Sequence, residues 1–242
     1  MKTFTSHPKS LLAAAAGGLM LIGAACGSSA LAPDANAGQT TALAPAASAD
    51  ASAPSTSSAG EVQISFNSSN SQAQYLTQEQ LAGRNLPNVA VGTTTGISGS
   101  VVLTQSGELD ASASKLTIDL SSLKSDESKR DNFIQRNTLQ TSQYPDAIFT
   151  PTGVTGLPSP LPTSGSATYR LAGNLTVHGV TKPVTWAVTA DFNGQQVSGK
   201  ATAPFTITEF GMTIPQAGPV LSVQDAGTLE LDFTNAPLAS AA

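Results

Sequence analysis

His178 is the histidine best placed to do chemistry, because His7 lies in a segment with the features of an export signal. A metal site usually takes three or four Cys, His or carboxylate ligands, and the sequence around His178 supplies no such set. The sequence has no G-x-S-x-G turn that would indicate a Ser nucleophile. His178 instead ends an alternating strand pattern, and Gly179 after it favours a turn. We therefore predict a turn residue, and no catalytic residue, metal or cofactor.

Cys26 is the only cysteine and directly follows an apolar run at residues 11–25. With Lys2 and Lys9, this run predicts a signal peptide over residues 1–25, and it is too short and too rich in Gly and Ala for a membrane span. The position of Cys26 resembles a bacterial lipobox, in which the thiol is diacylated after cleavage. Gly23 stands where lipoboxes usually carry Leu, Val or Ile, so secretion with a free cysteine is the alternative. Lipidation of Cys26 is the favoured prediction.

The rest of the chain divides by composition into a tether, a domain and a tail. Residues 26–60 are rich in Ala, Ser, Pro and Thr, which predicts a flexible tether, and residues 238–242 form a short tail. Residues 61–237 are long enough for one domain with a substantial core. The chain has 16 acidic and 11 basic residues, with a net charge of −5. This balance argues against nucleic acid as a partner, since its binding depends on Lys and Arg.

Strand-like alternation dominates the domain. In KLTIDL, residues 115–120, three aliphatic side chains share one face and the polar side chains share the other. The sequence therefore predicts an all-β fold, an antiparallel barrel of about eight strands, whose closure leaves no edge strands. Further strands are predicted at residues 62–66, 71–76, 93–103, 147–154, 168–177, 184–188, 200–207 and 227–233.

One or two short helices are expected beside the barrel. Residues 125–137, SDESKRDNFIQRN, are predicted to be helical, with Ser125 as N-cap and with Phe133 and Ile134 facing the protein. Residues 77–83 form a weaker predicted helical turn. The basic residues around the longer helix either meet a ligand head group or, as we favour, pair with the acidic residues among them. These basic residues are Lys124, Lys129, Arg130 and Arg136.

Four segments of the domain resemble, in order, the YceI-like family of exported, lipocalin-like barrels that bind polyisoprenoids and related lipids. The resemblance spans residues 61–235. Glu209 and residues 156–165 depart from the family pattern and concern details of the barrel mouth. The four segments are residues 71–101, residues 116–152, the hairpin LAGNLTVHGVTKPVTWAV at residues 171–188, and APFTITEFGMTIP at residues 203–215 followed by LELDF at residues 229–233.

The resemblance implies an apolar cavity for an isoprenoid or fatty-acyl chain. Alternation also places small residues on the inner face, which favours a hollow barrel over one filled by side chains; these are Gly99, Gly173, Ala190, Ala201 and Ala203. The predicted ligand-binding lining consists of Ile118, Leu175, Val177, Trp186, Val188, Phe205, Ile207 and Leu231.

The sequence thus predicts an extracytoplasmic, lipid-anchored protein of the bacterial cell envelope that holds or transports a polyisoprenoid, quinone or fatty-acid-type lipid. Its expected partners are the hydrophobic ligand and, through the anchor, the membrane, and a homodimer is compatible with the sequence. The alternative is a surface-anchored interaction or structural barrel without a lipid ligand. An enzyme has little support, because no acid/base pair or nucleophile can be assembled from the residues.

Overall fold

Ten β-strands make up most of residues 60–216 and 218–241, which are the residues that the computed structural model describes. The predicted signal peptide, Cys26 and nearly all of the tether lie outside these residues. The strands are β1 (Glu61–Asn67), β2 (Ser71–Leu81), β3 (Asn88–Thr94), β4 (Ile97–Thr104), β5 (Leu109–Asp119), β6 (Asp146–Thr155), β7 (Ser164–Val177), β8 (Val180–Asn193), β9 (Gln196–Thr206) and β10 (Val220–Ser240).

The strands close into an antiparallel barrel with eight strand positions. The order around the barrel is β1, β4, β5, β6, β7, β8, β9 and β10, and β10 returns to β1 through pairs such as Ile64 with Leu238. Ten strands fill eight positions because β1 and β2 lie end to end in one position and β3 and β4 lie end to end in the next. β1 pairs with β4, and β2 pairs with β3, both in the antiparallel sense. The prediction of an all-β barrel of about eight strands is confirmed.

Two local predictions for the strands are wrong. Residues 93–103 do not form one strand, since the chain bends at Thr95 and Gly96 between β3 and β4. Residues 77–83 are not a helical turn, because Thr77–Leu81 completes β2. Thr77 and Glu79 are buried on its inner face while Gln78 is exposed. Two polar residues at inward positions hid the alternation.

The predicted helix is present in the connection between β5 and β6. It consists of α1 (Ser128–Phe133) and a π-helical segment, Ile134–Thr138. Ile134 is buried and Phe133 half-buried, as predicted. The predicted N-cap is wrong, because the Glu127 carboxylate, and not Ser125, accepts the backbone N–H of Lys129. No helix in this described part of the chain is long and apolar enough to cross a bilayer.

The two ends of the barrel are filled differently. At the end that holds the start of β1 and the end of β10, apolar side chains pack against one another, and Phe66 and Phe233 make an edge-to-face contact with centroids 5.5 Å apart. At the other end, the helical connection is tied to β3, since Thr93 and Lys124 exchange backbone hydrogen bonds of 2.7 and 2.9 Å. We call these the packed end and the helical end. The cavity lies toward the helical end.

Candidate functional site

A cavity of about 750 Å³ occupies the barrel toward its helical end. Its wall is formed by inward side chains of the strands, by α1 and by the connections that follow β2 and β9. Deep in the barrel the wall is aliphatic and aromatic, with Leu116, Phe149, Leu171 and Leu231 among its residues. The charged residues that border it lie near the mouth, except Glu230 of β10, whose carboxylate pairs with Lys200. This arrangement suits an apolar ligand with a polar end near the mouth.

The predicted lining maps onto this wall with one exception. Val188 is deeper, 2% exposed, and borders a separate void of about 30 Å³ at the packed end. It shares its face with Trp186 but stands two residues further along β8, beyond the floor of the cavity. The predicted residues that do line the cavity are Ile118, Leu175, Val177, Trp186, Phe205, Ile207 and Leu231.

The small residues predicted on the inner face contribute less than alternation suggests. Ala201 lines the cavity, whereas Ala190 and Ala203 are fully covered by neighbouring core residues. Gly99 pairs with the inward residues Phe66 and Leu116 but does not line the cavity. It is exposed at φ +127°, and a Cβ there would lie 2.1 Å from the Lys115 carbonyl oxygen. The space at Gly173 is occupied by the ring of Phe149. Small residues alone therefore do not explain the cavity.

Aromatic rings turned against the wall explain more of the open volume. A Cβ built at Gly92 would lie 2.2 Å from Tyr75 Cε1, so the ring occupies the space that a side chain would take. Glycine in a strand commonly marks such a close approach, and a mid-strand glycine opposite an aromatic residue is a signal in the sequence that alternation alone does not include. The arrangement occurs three times around the cavity: Tyr75 over Gly92, Phe205 over Gly227 and Phe149 over Gly173.

A polar collar of Tyr75, Glu79, Asn88 and Arg130 borders the cavity near its mouth. The Glu79 side chain is 3% exposed. Arg130 Nη2 donates to Glu79 Oε1 at 2.8 Å, and Asn88 Nδ2 donates to the same oxygen at 2.8 Å. Arg130 Nη1 also donates to Asp126 Oδ1 at 2.5 Å. The positive charge of Arg130 is therefore shared between two carboxylates.

The surroundings of the collar shift two pKa values. Burial raises the pKa of Tyr75 to about 12; the positive charge of Arg130 opposes this shift, and the nearby carboxylates add to it. Burial lowers the pKa of Arg130, but Glu79 and Asp126 more than offset this effect and hold it above its ordinary value. The phenol is thus neutral and the guanidinium charged at any physiological pH. The collar presents one phenol and one paired cation to the cavity.

The other basic residues around the helix lie at or beyond the rim. Lys129 borders the cavity mouth, together with Arg84 from the connection after β2. Lys124 is exposed outside the lining, and Arg136 donates to Asn132 Oδ1 at 3.2 Å on the outer face of the helix. Among the four basic residues around the helix, the described part of the chain shows an ion pair within the helix only for Arg130, with Asp126, and Arg130 also pairs with Glu79 of β2.

His178 lies in the turn between β7 and β8, as predicted, with φ +51°. Its ring packs against Tyr144, with centroids 4.6 Å apart. The prediction that the ring forms hydrogen bonds in the turn is not supported at Nε2, which is buried and has no partner within the described residues. Residues 60–216 and 218–241 contain no group of three or more His, Cys, Asp or Glu side chains that could hold a metal ion.

Comparison with known proteins gives a family match over most of the barrel. A family model described as YceI-like domain matches residues 84–235. A UPF0312 protein of Pseudomonas putida is 34% identical over 131 residues, which cover 50% of this chain and 61% of that protein. The chain therefore spans about three fifths of the length of the curated relatives it matches.

Several solved structures are similar to this chain, including one from Burkholderia cenocepacia and one from Saccharophagus degradans. Burkholderia cenocepacia BcnA has a TM-score of 0.53 at 19% identity, covering 72% of this chain and 99% of its own, and it shares the fold. A polyisoprenoid binding domain from Saccharophagus degradans, implicated in plant cell wall breakdown, has a TM-score of 0.49 at 12% identity. That match covers 71% of this chain and 98% of its own.

Proposed function

This chain belongs to the YceI-like family, as its motifs predict, and we propose that it holds or transports a single-chain lipid in its barrel cavity. The candidates are a polyisoprenoid, a quinone or a fatty-acid-type lipid. The observation that carries the proposal is the cavity of about 750 Å³ with a mainly apolar wall and with most of its charged residues near its mouth. Its size lies within the range of small-molecule pockets. The YceI-like family is a family of binding proteins found in the periplasm, which supports this role.

Burial of hydrocarbon supplies the affinity in this proposal. Each methylene removed from water contributes about 0.8 kcal/mol, so ten buried methylenes contribute about 8 kcal/mol. Loss of translational freedom and ordering of the chain offset part of this gain. Because the main interaction is hydrophobic, raising the salt concentration should leave binding unchanged or strengthen it. A steep loss of affinity with salt would instead indicate that the charged rim makes the main contact.

We also propose that Cys26 is diacylated and anchors the barrel to the bacterial cell envelope. Support comes from the position of this single cysteine directly after the predicted signal peptide. The anchor is tested by detergent phase partitioning of the wild-type chain and a Cys26→Ser variant expressed in the same bacterial host. Partitioning of the wild type alone into the detergent phase supports lipidation. Equal partitioning of both into the aqueous phase supports a secreted protein.

The ligand is tested on the full-length chain with Cys26→Ser, exported in a bacterial host and purified without detergent. Native mass spectrometry gives the stoichiometry of any bound molecule, and organic extraction gives its chemical class. One apolar lipid per chain supports the proposal. A barrel that is empty and also refuses added prenyl and acyl lipids contradicts it, and favours an interaction or structural domain without a lipid ligand.

A further inference from the structure

We propose that the polar collar binds a neutral head group that both donates and accepts a hydrogen bond, as in a long-chain alcohol. We further propose that it disfavours the carboxylate or phosphate of the same chain. This inference rests on the proposed function, because it concerns a ligand whose tail already fills the cavity. It adds the chemical class of the head group and the residues that select it.

The position of the collar determines where the head group would lie. Tyr75, Thr77 and Glu79 are successive inward residues of β2, and all three line the cavity. Leu81 and Arg84 follow toward the mouth, while the wall on the other side of the collar is mainly aliphatic and aromatic. A tail directed into the barrel therefore leaves the polar end of the ligand beside Tyr75 and Glu79.

The hydrogen bonds of the collar leave one acceptor and one hydroxyl available. Both protein donors to Glu79, Asn88 Nδ2 and Arg130 Nη2, use Oε1. Within the described residues, neither Glu79 Oε2 nor the Tyr75 hydroxyl has a protein hydrogen-bond partner. A polar group at a buried surface is stabilised when a partner is supplied. An alcohol can supply both, since its O–H can donate to Oε2 and its oxygen can accept from the phenol.

The charges around the collar disfavour an anion. Arg130 is the one cation of the collar, and Glu79 and Asp126 already pair with it, at 2.8 and 2.5 Å. Over the collar and the rim together, the basic and acidic residues of the lining are equal in number: Arg84, Lys129 and Arg130 against Glu79, Asp126 and Glu127. A ligand carboxylate at the collar would stand beside the buried Glu79 carboxylate, where the Arg130 guanidinium is already paired with two carboxylates. Like charges at close range in a poorly solvated place are costly.

The experiment compares two probes with the same tail, dodecan-1-ol and dodecanoate, on the full-length chain with Cys26→Ser at pH 8. We expect dodecan-1-ol to bind more tightly by about tenfold or more, as measured by isothermal titration calorimetry. Equal or tighter binding of dodecanoate would overturn the head-group inference and leave the proposed function standing. Binding of neither probe would overturn the proposed function and this inference with it.

Two variants assign the selectivity to the collar. Glu79→Gln removes the negative charge and frees Arg130, so the preference for dodecan-1-ol over dodecanoate should fall toward one or reverse. Tyr75→Phe keeps the aromatic ring and removes only the hydroxyl. It should weaken the binding of dodecan-1-ol about threefold to tenfold, which is the effect of one hydrogen bond. Glu108→Gln is the matched control, because Glu108 is exposed in the turn after β4 at the packed end. An unchanged preference in both collar variants would overturn the inference.

Discussion

The ring of Tyr75 occupies the side-chain space of Gly92, its direct partner on the neighbouring strand, where a Cβ would lie 2.2 Å from Tyr75 Cε1. Phe205 lies over its own direct partner, Gly227, in the same way. Both rings line the cavity, yet each takes part of its space from the opposite strand. The glycines therefore allow large side chains on the inner face of a barrel that stays open.

Gly92→Ala tests this relationship. The added methyl group would push the Tyr75 ring toward the lumen, so we expect the free energy of unfolding to fall by about 1–3 kcal/mol, the usual cost of overpacking. The affinity for dodecan-1-ol should also fall, because the displaced ring then occupies part of the cavity. Urea denaturation measures the stability, and titration with dodecan-1-ol measures the binding.

Gly153→Ala is the matched control for that substitution. Gly153 lies in β6 with φ outside the left-handed region, and a Cβ there meets nothing within 4 Å. This change should be neutral, or stabilising by about 0.4–1 kcal/mol through the unfolded state. An equal loss of stability in both variants would show that the ring of Tyr75 is not held in the space beside Gly92.

A second prediction concerns the depth of the cavity. Ala201 lines the cavity on β9, and Ala201→Phe should fill the lumen and weaken binding of dodecan-1-ol strongly. Ala187 is exposed on the outer face of the adjacent strand, β8, so Ala187→Phe adds the same side chain outside the barrel. Calorimetric affinities of the two variants should differ widely. Similar affinities would place the ligand outside this part of the barrel.

Trp186 provides a third prediction because it is the only tryptophan of the chain and lines the cavity. Its ring meets Phe149 edge to face, with centroids 5.9 Å apart. An alkyl chain that enters the barrel must pass this wall, so dodecan-1-ol should change the tryptophan emission and saturate at one ligand per chain. Binding seen by calorimetry without any change in emission would contradict the placement of the tail.

The sequence predicted the faces of the barrel better than the depth of its residues. Alternation identified Leu175 and Trp186 as inward residues, and both line the cavity. Val188 follows the same alternation, but it lies beyond the cavity floor, because a period of two reports which face a residue occupies and not how far along the barrel it stands. Depth depends on the register of the strands around the barrel, which a single sequence does not reveal.

The polar collar is not evident from the sequence, for a related reason. Glu79 falls in the helical turn that the sequence predicts at residues 77–83, and its partner Arg130 lies 51 residues away in a helical connection. Closure of the barrel and the Thr93–Lys124 link bring the two elements together. The only signal in the sequence is weak: Glu79 is a carboxylate that shares the inward face of β2 with Tyr75 and Thr77.

The last prediction concerns stability at alkaline pH. Burial raises the pKa of Tyr75 and of Tyr169 to about 12, although nearby charges also act on Tyr75. Both phenols ionise near pH 10 in the unfolded chain. These groups therefore leave the free energy of unfolding unchanged below about pH 10. As the pH rises from 10 toward 12, the free energy of unfolding falls by about 2–3 kcal/mol for each tyrosine. The test is urea denaturation at several pH values of two proteins, the wild type and the double variant with Tyr75→Phe and Tyr169→Phe. Their difference separates the contribution of the tyrosines from that of the lysines. Since phenylalanine cannot ionise, the double variant should lose less stability over that interval, and equal losses in the two proteins would show that these phenols titrate normally.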